Sequence, residues 1–191
     1  ESILLAVKAA RESHRARAGA PRHGLNMVMP DTAHAAFDKA AQVMDLEIRR
    51  APLTKDKRVD PEALRGLIDD HTMLIVGSAP CYPHGVIDPV DALSAIALER
   101  GIWLHVDACV GGWILPFYKM NGAPIRTFDF SLPGVRSISA DLHKFGFCPK
   151  PASTVFFRDQ ADQERSAFVA DQWPAGVFRT ATLAGTRPAG A

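Results

Sequence analysis

Cysteine is scarce in this chain of 191 residues: Cys81, Cys109 and Cys148 make an odd count with no Cys-x-x-Cys pair. A disulfide framework needs an even set and a structural zinc site needs closely spaced thiolates, so neither is indicated, and a reducing compartment fits best. An excess of one charge is lacking too. Lys and Arg number 22 against 21 Asp and Glu, a formal net charge of +1, which gives no general field for drawing in nucleic acid or an anionic membrane. The densest basic stretch, Arg11, Arg15, Arg17 and Arg22 beside His14, reads as the solvated end of a helix and its loop. No run approaches the roughly 20 apolar residues that cross a bilayer, and the first residues lack the three regions of a signal peptide. A cytoplasmic location is therefore the expectation, with a membrane anchor upstream of Glu1 left open. No repeat or low-complexity tract is present.

What is present suits one sizeable core. Hydrophobic residues make up 47% and charged residues 23%, ordinary for a single α/β domain spanning 1–191. Ile3, Leu4, Val7 and Ala10 recur at helical spacing, and Gly19-Ala-Pro21 closes that run. An apolar strand at 25–29 precedes Pro30-Asp-Thr32, which supplies cap residues for a helix over 33–44. A strand at 46–50 follows, and Asp60-Pro61 then pairs a capping residue with proline at the first helical position, predicting a helix to 70. Strands at 73–77 and 102–106 flank a helix ending near Arg100, and another strand runs into His143-Lys144. Residues 153–158 read as a strand running against its neighbours, 159–167 as a helix, and the tail from Asp171 as an irregular loop. The chain opens inside a helical pattern with no cap and stops without a closing element, so both ends read as cuts through a longer protein.

Strands that are continuously apolar and alternate with helices predict a mostly parallel sheet with helices on both faces. In such sheets ligands sit outside the carboxyl ends of the strands. Polar candidates fall at those ends: Ser78 after the third strand, Asp107 after the fourth, Ser139, His143 and Lys144 at the fifth, and His34 one loop beyond the first.

A lysine at the end of a buried strand, preceded by a histidine and followed by Gly146, is poorly placed for solvation and well placed to hold pyridoxal 5′-phosphate. That cofactor needs an amine, a carboxylate for its ring nitrogen, something flat over the ring and donors for the phosphate. Asp107 ends an apolar strand before the small-residue turn Ala108-Cys-Val-Gly-Gly112 and can supply the carboxylate. His34, in the first turn of its expected helix, meets the positive end of the dipole, which favours the neutral imidazole that can lie on a cationic ring. His143 can donate to the phosphate, and Ser139 and Ser78 are further polar contacts. Taken singly, each has a structural alternative: Lys144 as a surface lysine in a turn, Asp107 as a turn cap, His34 as a packed helix start, His143 as an orienter of its own loop.

Together the stretches Thr32-Ala-His-Ala-Ala-Phe37, Pro80-Cys-Tyr-Pro-His-Gly-Val-Ile-Asp-Pro89, His105-Val-Asp-Ala-Cys-Val-Gly-Gly112 and Ser137-Ile-Ser-Ala-Asp-Leu-His-Lys-Phe-Gly146 resemble, in order and spacing, the sphingosine-1-phosphate lyase family. Those are fold-type-I pyridoxal-phosphate enzymes related to the group II amino-acid decarboxylases. The resemblance implies that the chain is part of the large domain of such an enzyme, without the N-terminal segment and the small C-terminal domain. It implies that Lys144 is the Schiff-base lysine, Asp107 the partner of the pyridine nitrogen, His34 the stacking histidine, His143 a phosphate contact and Lys150 a second active-site lysine. The implied substrate is a small phosphorylated lipid amine, and the implied partner a second copy whose Gly185-Thr-Arg187 segment approaches the neighbouring cofactor in a homodimer with shared sites. Carbon–carbon cleavage and decarboxylation share this machinery, so a decarboxylase is the alternative, and a non-catalytic fragment a further one. Departures from the pattern include Glu1-Ser2 without the glycine and threonine that precede them in the family, Phe145 where tyrosine is frequent, and Pro151-Ala152 where glycine-serine is common.

Overall fold

Six strands form the main sheet of the computed structural model, which describes residues 1–185: β1 (Asn26–Pro30), β2 (Glu47–Ala51), β3 (Thr72–Ser78), β4 (Trp103–Asp107), β5 (Val135–Asp141) and β6 (Ser153–Phe157). Their order is β2-β1-β3-β4-β5-β6. The first five pair in parallel and β6 runs antiparallel to β5, the orientation anticipated for residues 153–158. Along β1, β3 and β4 every residue is buried, because both faces of the sheet are covered.

Successive side chains of a strand point to opposite faces, and the core divides accordingly. Met27, Met29, Leu74, Val76 and Trp103 join Val7 and Phe37 in one cluster, under α1 (Ser2–Arg15) and α2 (Ala36–Met44). Val28, Ile75, Leu104 and Val106 join Leu64 and Leu93 in the other, under α3 (Pro61–Gly66) and α4 (Val90–Arg100). Burying each such side chain is worth about 1.5–3 kcal/mol, so the two faces together anchor the strands whose ends carry the site. On the α1 side, Arg136 of β5 lies 4.1 Å over the Trp103 ring and donates from Nε to Asp162 at 2.9 Å. Asp162 belongs to α6 (Gln160–Ser166), so this contact ties that helix to the sheet.

The Asp60-Pro61 signal holds: the Asp60 carboxylate accepts from the amides of Glu62 and Ala63. Two boundaries and one short helix differ from the sequence reading. Helix α2 begins at Ala36 rather than residue 33, because a turn from the Pro30 carbonyl to the Ala33 amide comes first. Helix α3 stops at Gly66, short of residue 70. A short helix α5 (Leu115–Met120) follows the small-residue turn, where none was anticipated. The tail is not wholly irregular either, since β7 (Phe168–Ala170) and β8 (Phe178–Thr180) pair antiparallel. The Phe178 ring there packs against Phe168 and Trp173. Among the described residues no helix is long and apolar enough to cross a membrane.

Candidate active site

Three strands end side by side. Register pairs Ser78 with Asp107 and Asp107 with Ser139, so the carboxyl ends of β3, β4 and β5 place Ser78, Asp107 and Asp141 along one edge. The chain then turns: the Lys144 amide donates to the Asp141 carbonyl at 3.1 Å. A Cβ at Gly146 would lie 2.7 Å from the Leu142 carbonyl oxygen, so this turn closes tightly only around glycine. A cavity of about 170 Å³ opens above the edge, lined among others by Ser2, Thr32, His34, Ser78, Asp107, Cys109, Asp141, His143 and Lys144.

Lys144 and Asp107 therefore face one space from neighbouring strands. The Lys144 Nζ sits 2.9 Å from Asp141 Oδ2, with the side chain one-third exposed. Burial alone would push its pKa down. The hydrogen bond it donates to Asp141 and the surrounding negative charges, Asp107 included, outweigh that and hold it above the ordinary lysine value. Burial likewise pushes Asp141 up, but hydrogen bonds from Ser153 and Lys144 bring its carboxyl below the usual range. Asp107 is 7% exposed, and its Oδ1 accepts from the Cys109 amide at 3.1 Å and from Ser139 Oγ at 3.3 Å. Burial, with the Asp107 charge beside it, raises the Cys109 thiol far above the usual thiol range, which keeps it protonated and unreactive.

The remaining candidates fall in different places. His34 precedes α2 instead of lying in its first turn, a correction to the dipole reading. Its Nδ1 accepts from the Ala36 amide at 3.0 Å, which caps the helix and leaves the exposed ring at the rim of the cavity. His143 lines the cavity, yet its Nδ1 accepts from the Ala152 amide at 3.1 Å, so part of its capacity is used in orienting the turn. Ser78 lines the cavity, while its amide donates to the buried Asp88. Ser139 lies behind Asp107 as its hydrogen-bond donor. Lys150 is exposed and outside the cavity lining, so the structure does not bring it together with the others. Residues 186 and 187 of the Gly185-Thr-Arg187 segment lie outside the described residues.

Asp141 and Thr32 line the cavity without having been read from sequence as site residues. Asp141 ends β5 as Asp107 ends β4, and the same strand-end rule finds it. Thr32 is buried and its Oγ1 has no hydrogen-bond partner among the described residues. An unpaired buried hydroxyl facing a cavity is a group in want of a ligand. The first turn of α1 also borders the space through Ser2 and Ile3, with helical amides that have no acceptor within the helix. An amine, a buried carboxylate, an orphaned hydroxyl and a helix N-terminus suited to phosphate fit pyridoxal phosphate.

The mostly parallel sheet with helices on both faces is the α/β fold of pyridoxal-phosphate-dependent enzymes. The chain belongs to the pyridoxal-dependent decarboxylase conserved domain family, which matches residues 1–172. It is 44% identical over 188 residues to a sphingosine-1-phosphate lyase of Arabidopsis thaliana, covering 98% of this chain and 34% of that protein. A probable L-tyrosine/L-aspartate decarboxylase of Methanothermobacter thermautotrophicus is 44% identical over 159 residues, 83% of this chain and 42% of that one. The solved sphingosine-1-phosphate lyase of Burkholderia pseudomallei superposes with a TM-score of 0.93 at 46% identity, over 98% of this chain and 43% of the other. The chain thus spans about a third of the length of the curated lyase it matches.

Proposed function

We propose that this chain carries the cofactor-binding core of a carbon–carbon lyase that cleaves a phosphorylated sphingoid base to a long-chain aldehyde and phosphoethanolamine. The observation that carries the reading is the convergence of Lys144 and Asp107 on one cavity at the carboxyl edge of the sheet. The likeness to lyases over nearly the whole chain supports the choice of reaction.

Bound pyridoxal phosphate supplies an electrophilic carbon for amines and an electron sink for a bond broken at the substrate's Cα. Lys144 provides the protein's amine. It is held as an ammonium by Asp141 and must lose a proton before it can act as a nucleophile; Asp141 is the acceptor in contact. Asp107, buried and lining the cavity, would face the cofactor's ring nitrogen and favour its protonated form. The Thr32 hydroxyl and the start of α1 offer donors to a phosphate. The free amine of Lys144 would be the group at hand for moving a proton at the substrate's Cα or at its C3 hydroxyl.

A homodimer with shared sites belongs to the same proposal and rests on the resemblance of the Gly185-Thr-Arg187 segment. Decarboxylation is the second reading, favoured by the likeness to the probable L-tyrosine/L-aspartate decarboxylase. Supplying the cofactor-loaded protein with a sphingoid-base phosphate, and separately with L-tyrosine and L-aspartate, decides between them. Aldehyde release supports the lyase. Carbon dioxide without aldehyde overturns it.

A further inference from the structure

Behind Asp107 runs a buried polar chain that the chemistry so far leaves unused. Trp103 and His105 lie on β4, Ser137 and Ser139 on β5, and all four are wholly buried. Trp103 Nε1 is 2.8 Å from Ser137 Oγ, and Ser137 Oγ is 2.8 Å from His105 Nδ1. On the other side of the ring, His105 Nε2 is 3.2 Å from Ser139 Oγ, which is 3.3 Å from Asp107 Oδ1. The Phe37 ring packs edge-on against His105 at 5.9 Å and closes the space to water. A buried imidazole held by two hydroxyls on either side, leading to a carboxylate, is more than packing requires.

Each proton in the chain has one consistent place. The indole N–H can only donate, so Ser137 accepts from Trp103 and turns its own O–H to His105 Nδ1. That leaves His105 with its proton on Nε2, donated to Ser139. The Ser139 hydroxyl also receives the Cys109 thiol, 3.2 Å away, so its lone pairs are filled and its proton goes to Asp107. Reversing the imidazole tautomer would direct the Ser139 proton at Nε2 and set an oxygen lone pair against the carboxylate. Burial, only partly offset by the Asp107 charge, lowers the His105 pKa to about 4, so a neutral ring agrees with this pattern.

We propose that His105 is a positioning residue: through Ser139 it fixes the plane of the Asp107 carboxylate, as a neutral ring protonated on Nε2. This rests on the reading of Asp107 as the cofactor's carboxylate partner, but its test does not.

In cofactor-free protein labelled with ¹⁵N-histidine, long-range ¹H–¹⁵N correlation should show His105 neutral with the proton on Nε2 from pH 5 to 8. A dominant Nδ1–H tautomer, or an imidazolium in that range, overturns the proposal. Ser139→Ala should let the Nδ1–H form appear and shift the Asp107 carboxyl resonance in ¹³C-aspartate-labelled protein. His105→Phe, close in size and still packed on Phe37, should shift the same resonance. An unchanged Asp107 carboxyl resonance in whichever variant folds overturns the relay. In the same variants pyridoxal phosphate should bind roughly ten- to a hundred-fold more weakly by absorbance titration, the worth of one hydrogen bond to a charged group. If the unaltered protein shows the expected tautomer and no cofactor binding, the cofactor assignment fails while the relay stands. If cofactor binds and the tautomer is reversed, the relay alone fails.

Discussion

The Lys144 ammonium lies 2.9 Å from Oδ2 of Asp141, three residues before it at the end of β5. The amine assigned to the cofactor is thus paired with an acid from its own strand, while Asp107 faces the same cavity from the next one. That separation divides the work. One carboxylate sets the protonation of the lysine, the other is left for the ligand.

Replacing Asp141 by Asn removes the hydrogen bond and charge that outweigh burial at Lys144, so the amine should ionise at lower pH. The measurement is the pH dependence of Lys144 modification by an amine-reactive reagent in cofactor-free protein, followed by peptide mass spectrometry. The profile of Asp141→Asn should lie to the acid side of the parent's. Coincident profiles would show that the pair does not control the amine.

The same pair has a stability signature. Asp141 is depressed in the fold, so its contribution is present above the ordinary value of 3.8 and is lost as pH falls through its lower folded value. Lys144 is raised, so its contribution is whole below 10.5 and is lost as pH rises through its higher folded value. Urea midpoints of the parent and of Asp141→Asn should therefore differ by a constant amount across neutral pH, the gap closing as pH falls below 3.8 and as it rises toward and past 10.5. A gap that widens outside that window would contradict the assignment.

Asp88 is fully buried in the loop between β3 and α4, and its two oxygens accept from the amides of Val59 and Ser78 at 2.9 and 2.8 Å. Asp88→Ala leaves both amides unsatisfied and should cost about 2–6 kcal/mol, at about 1–3 kcal/mol for each buried group. A fall in the urea midpoint at unchanged slope is the expected result. Because Ser78 borders the cavity, cofactor affinity should fall with it.

Gly112 has no room for a side chain: a Cβ there would lie 2.6 Å from that of Ala140 and 2.9 Å from the Ala108 carbonyl oxygen. Gly112→Ala should destabilise by about 1–3 kcal/mol, the usual cost of overpacking. It also displaces Ala140, the neighbour of Asp141, so the Lys144–Asp141 pair should loosen. A variant of full stability would show that the turn gives way freely.

The strands and most helices were legible because burial on both faces leaves uninterrupted apolar runs, and capping residues such as Asp60 act over only a few positions. Short elements were not: α5 spans six residues with Pro116 among them, too few to show a period. The start of α2 was misplaced because Thr32 resembles a cap, whereas the Pro30–Ala33 turn and the His34 side chain take that role. Lys144 and Asp107 were legible as polar residues ending apolar strands. The neighbours that tune them were not, since Ser139 reaches Asp107 only through the β4–β5 register. Thr32 lines the cavity from within the Pro30–Ala33 turn, which the strand pattern does not show.

The most direct measurement is reduction of the pyridoxal-phosphate-treated protein with borohydride, followed by peptide mass mapping. A pyridoxyl group on Lys144 is expected, with the adduct abolished by Lys144→Ala and sharply reduced by Asp107→Asn. An adduct confined to other lysines such as Lys150, or none on folded protein, would contradict the account.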